Sequence, residues 1–107
     1  MRTQSARMSA NAKKGNKKKL DEAVGEFLRT KRVEAGISQG FVTEKLGYSS
    51  PQHLSNIERG VSPVGITTLK QLSKIYKIED KEIVDFLLEQ QKYFLEKEFL
   101  ARKSKGN

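Results

Sequence analysis

Residues 38–60 read SQGFVTEKLGYSSPQHLSNIERG, and this stretch decides the fold. Ser38 is a suitable N-cap, because its hydroxyl can accept from a free backbone N–H of the helix that begins at Gln39. Val42 and Leu46, four residues apart, give that helix one buried edge. Gly47 ends it, since a chain leaving a helix sharply needs a residue that tolerates positive φ. Ser50 and Pro51 open a second helix, a serine cap followed by a proline whose missing N–H is not needed there. Leu54 and Ile57 turn this helix inward and Gly60 stops it. Outward-facing positions hold Gln52, His53, Ser55, Asn56 and Arg59, all able to hydrogen-bond and none acidic. A short helix with an apolar back and an amide-rich front suits the reading of base edges.

The stretch resembles the helix-turn-helix of the phage repressor and Cro family, the XRE type of transcriptional regulator. The resemblance rests on Ser38-Gln39, Leu46-Gly47 and Ile57-Glu58-Arg59-Gly60 taken in order, and with its flanking helices it covers about residues 20–78. Two features depart from the family pattern. The turn from Gly47 to Pro51 is one residue longer than the commonest form, and Thr43 stands where alanine is frequent. The resemblance implies an all-α, five-helix, lambda-repressor-like domain. It also implies roles for particular residues. Pro51, Gln52 and Asn56 would contact bases, and His53 between them reads as a plain solvent-facing residue, a base or phosphate contact, or a metal ligand. Gln39 would clamp a phosphate at the start of its helix, where backbone N–H groups also converge. Ser38, Ser50, Ser55, Arg59 and the loop residue Ser62 are further phosphate candidates. Arg32 would form an ion pair with Glu58.

The rest of the chain frames this unit. Its 107 residues fit one small domain with tails, divided here into 1–19, 20–78, 79–102 and 103–107. There is no cysteine and only one histidine, so disulfides and thiolate metal sites are excluded, and no cofactor is expected. No apolar run approaches the roughly 20 residues needed to span a bilayer, and no secretory signal is visible, so the cytoplasm is the expected location. The net charge of +8 is unevenly placed, with +7 in residues 1–19, −2 in residues 20–101 and +3 in the last six. Residues 1–19 hold no aromatic or β-branched apolar residue and are expected to form a disordered basic arm. Its Lys13, Lys14, Lys17, Lys18 and Lys19 suit contacts along phosphates, which release counterions. A solubilising tail is the plainer reading.

Around the motif, Val24, Phe27, Leu28 and Ala35 mark a first helix over 21–35, stopped by Gly36. Gly25 within it has no explanation from sequence beyond close packing. A fourth helix is expected over 66–76, with Ile66, Leu69, Leu72, Ile75 and Tyr76 inward. A fifth, over about 80–102, would be roughly 34 Å long. Ile83, Val84, Phe86, Leu87 and Leu88 surround it with apolar groups, and Tyr93, Phe94, Leu95, Phe99 and Leu100 continue the pattern. A domain of about sixty residues buries too little to cover them all. The expected use is a two-fold dimer interface through Ile83, Phe86, Leu87, Tyr93 and Phe94. Folding back on the domain and binding another protein are the alternatives. The function expected is a sequence-specific double-stranded DNA-binding regulator, in its simplest form a dimeric repressor. An antitoxin-like interaction module is the second reading. An enzyme is not expected, since no catalytic constellation is present.

Overall fold

In the computed structural model of the protein, the backbone is described for residues 2–100 and side chains for residues 18–100. Five α-helices follow one another: α1 (Arg2–Glu34), α2 (Gln39–Leu46), α3 (Gln52–Glu58), α4 (Ile66–Tyr76) and α5 (Asp80–Leu95). A π-helical turn, Glu96–Leu100, continues α5. There is no strand among the described residues. α1 starts ahead of the expected Asp21, and Lys18 and Lys19 are exposed residues upon it. No proline before Asp21 obliges the helix to break there. The backbone of residues 2–19, expected to form a disordered arm, is instead the first part of α1, while the side chains of Lys13, Lys14 and Lys17 lie outside the described residues. The tail beyond residue 102 lies outside them too.

The helix ends are set by local chemistry that the sequence announces. Ser38 Oγ accepts from the Phe41 N–H at 3.1 Å, capping α2. Gly36, Gly47 and Gly60 have φ values of 71°, 77° and 77°, so each chain reversal after a helix falls on a left-handed residue. Lys77 takes the same conformation after α4 at φ 56°, without the advantage of glycine. The cap of α3 is weaker than expected. Pro51 holds the N-cap position with no side-chain bond, and Ser50 Oγ accepts only from the Gln52 N–H at 3.4 Å.

The core draws on every helix of the motif and its neighbours. Leu28, Val42, Leu54 and Leu72 are fully buried, with Val24, Ile57, Leu69, Tyr76 and Ile78 around them. α1 crosses the end of α3 at very short range. A Cβ on Gly25 would lie 2.3 Å from the Ile57 carbonyl oxygen and 2.7 Å from that of Glu58. A Cβ on Gly60 would lie 2.6 Å from Glu22 Cα. Gly25, a weak point of the helix when read alone, is the residue that lets α1 press against α3.

α5 corrects the sequence reading. Its first half folds back on its own domain, with Ile83, Phe86 and Leu87 packed against the core. Phe86 stacks on Phe27 of α1 with ring centroids 4.1 Å apart, and the Lys31 ammonium pairs with Glu82. The sequence alone places these three apolar residues at a dimer interface. Phe27 and its neighbours on α1 take up that face instead, because the motif alone leaves them uncovered. Tyr93 is exposed and Phe94 half-buried. Ile66 and Ala35 depart from expectation as well, both being exposed at helix ends past the core.

Candidate functional site

α3 is held from behind by an ionic node. Glu58, at its end, has a side chain only 2% exposed, and Arg32 on α1 one 11% exposed. Arg32 Nε donates to Glu58 Oε2 at 2.7 Å and Nη2 donates to Oε1 at 3.1 Å, a two-pronged pairing. The third guanidinium nitrogen donates to the Ile37 carbonyl at 2.8 Å, in the loop between α1 and α2. Gln39 Nε2 completes the node by donating to Glu58 Oε1 at 2.9 Å. One carboxylate therefore fixes three helices relative to one another. The hydrogen bond to Glu58 raises the Arg32 pKa against the opposing cost of burial. Tyr76 lies close enough to feel both partners. Desolvation, and then the Glu58 charge, push its hydroxyl above the usual 10.0.

The node alters the reading of Gln39. Its carboxamide is half-buried and one of its N–H groups is committed to Glu58. Its other N–H is not committed to the node. Gly40 beside it has no internal steric need to be glycine, since a Cβ there would find only Ser38 Oγ at 3.9 Å.

In front, α3 presents the row picked out in the sequence. Pro51, Gln52, His53 and Arg59 are exposed, with Ser55 and Asn56 half-exposed between them. Ser38 and Ser50 are exposed, and Ser62 is half-buried in the loop after Gly60. His53 meets Tyr48 of the turn edge to face, with ring centroids 4.7 Å apart, so the turn supplies one side for that imidazole. Three residues of the row are joined. Gln52 Nε2 donates to Asn56 Oδ1 at 3.0 Å, and Arg59 Nη2 donates to the same oxygen at 2.6 Å. The spacing 52, 56, 59 places all three on one helical face. That spacing was legible in the sequence, but the shared oxygen was not.

Beyond α3, the outer side of α5 exposes Val84, Leu88, Leu95, Phe99 and Leu100, each between 43% and 62% accessible. Asp85 beside them pairs with Lys81 at 2.7 Å. Among the described residues no cluster of His, Asp and Glu is placed to hold a metal ion. No helix among them is long and apolar enough to cross a membrane.

A protein-family model described as helix-turn-helix matches residues 28–83, more than half of the chain. No match was found among curated proteins or among solved structures.

Proposed function

The chain belongs to the helix-turn-helix family of the Cro and C1 type, and from that premise we propose that it is a sequence-specific double-stranded DNA-binding repressor that acts as a dimer. The reading rests chiefly on one observation, the outward row Gln52, His53, Asn56 and Arg59 on a helix whose Leu54 and Ile57 are buried. α3 enters the major groove with Pro51, Gln52 and Asn56 at base edges. Ser38, Gln39, Ser50 and Ser62 to either side of α3, and Ser55 on α3 itself, serve as phosphate partners that set its register. The basic arm of residues 1–19 adds affinity without sequence preference, because its charge is +7.

Two copies related by a two-fold axis place two reading helices about one turn of DNA apart. The seam in this reading is the face of α5 that its own domain leaves open, Val84, Leu88 and Leu95, continued by Phe99. Tyr93 and Phe94 lie on the other side of the helix, towards Leu20 and Ala23 of α1. Occupying a promoter then excludes the transcription machinery. Selection of bound sites from random duplex DNA at near-physiological salt tests this directly. The expected product is a palindrome, and recovery of unrelated sequences would overturn it.

The same exposed face of α5 favours a second reading, an antitoxin-like module whose α5 captures a different protein. A stable monomer at tens of micromolar that still selects a half-site would move the balance to it.

A further inference from the structure

We infer that Arg59 sets base specificity at one remove, by fixing the Asn56 carboxamide so that it reads guanine and not adenine. The inference rests on the DNA-binding reading above and adds the identity of one base. Arginine has donors and no acceptor. Its Nη2, 2.6 Å from Asn56, can therefore face only the oxygen of that amide, and the flipped amide would set donor against donor. With Oδ1 held by Arg59, Gln52 can approach it only through Nε2, as it does at 3.0 Å. The orientation of both amides follows from the one cation.

The consequence for base reading is specific. A bidentate contact to adenine needs an acceptor for N6–H and a donor for N7 from a single amide. Asn56 Oδ1 already accepts two hydrogen bonds, which use both of its lone pairs. What Asn56 has left to show a duplex is its NH2 group, a pure donor. The major-groove edge of guanine, with N7 and O6 side by side, is the acceptor pair that suits it. Gln52 keeps its Oε1 free, an acceptor for the exocyclic amine of adenine or cytosine at a neighbouring position. The row therefore reads as donors at Asn56 beside an acceptor at Gln52, and Arg59 is a positioning residue whose loss changes the code.

Site selection from random duplex DNA with the full chain and its Arg59→Met, Arg59→Lys and Asn56→Asp variants tests the assignment. The parent should prefer guanine over adenine at the position facing Asn56 by about 10- to 100-fold, the range of a good paired contact. Arg59→Met frees the amide to turn, and adenine should rise at that position while the others hold. Arg59→Lys keeps a donor against Oδ1 and should retain guanine. Asn56→Asp keeps both internal hydrogen bonds but has no outward N–H, and should lose the guanine preference although the domain melts like the parent. A parent site with adenine facing Asn56 overturns the inference. So does an Arg59→Met variant that binds every sequence more weakly with the same preferred site, the signature of a phosphate contact. A parent that selects no site at all overturns the DNA-reading function itself, and this inference with it.

Discussion

At the scale of single residues, the node behind α3 makes the sharpest demands. Arg32→Ala leaves Glu58 buried without its partner, which should cost about 3–5 kcal/mol, a large part of a small domain's stability. The double variant Arg32→Met with Glu58→Leu removes both charges and should recover much of that loss in urea melts. If Arg32→Ala melted like the parent, the node would have no structural weight. Tyr76 tests the same region through pH. Among the described residues, its hydroxyl and that of Thr43 are the buried side-chain polar atoms without a hydrogen-bond partner. Its proton is held above the ordinary 10.0 by burial, so the native state keeps that proton where the unfolded chain releases it. Stability from this source is complete below pH 10 and falls as pH rises further. Lys31, raised from 10.5 mainly by its hydrogen bond to Glu82, has the same sign. The melting temperature should thus drop on the alkaline side. Tyr76→Phe should be at least as stable as the parent near pH 7 and show a shallower alkaline decline by circular dichroism.

At the scale of helices, two contacts decide the arrangement. Gly25→Ala places a methyl 2.3 Å from the Ile57 carbonyl oxygen, so α1 must lift from α3. The expected loss is about 1–3 kcal/mol despite alanine's better helix propensity, and a more stable variant would contradict the packing. Phe86→Ala removes the stack on Phe27 and should cost about 2 kcal/mol, less than a fully buried phenylalanine. Amide exchange should accelerate first in α5 and leave α2 and α3 protected. These elements also show what the chain reveals when read alone. The caps at Ser38, Gly47 and Gly60 and the four-residue spacing of Val42 and Leu46 are local, and the helices of the motif lie where they indicate. The place of α5 was not legible. An apolar residue such as Phe86 looks the same whether it meets Phe27 or a second molecule, because periodicity identifies a face and not its occupant. For the same reason Gly25 suggests close packing when read alone, but not that the Ile57 and Glu58 carbonyls are what lies beneath it.

At the scale of the whole molecule, the exposed side of α5 and the charge of the N-terminal segment govern assembly and affinity. Val84→Glu with Leu88→Glu alters two residues that are 50% and 62% accessible, so the domain should melt nearly as before. Light scattering at tens of micromolar should then report two chains for the parent and one for the variant. Removing residues 1–19 takes away +7 and should weaken binding to all duplexes alike while flattening the dependence on salt. Sequence preference, which belongs to α3, should survive. The node that ties Glu58 to Arg32 and Gln39 makes no use of α5. Each reading head is therefore complete before any association, and joining two of them changes valence without reshaping either one. Tethering raises the effective concentration of the second head at its half-site, a gain on the order of 10²- to 10⁴-fold. Operator occupancy would then rise more steeply than the first power of protein concentration, and a modest change in the cell's supply of this chain would act as the switch.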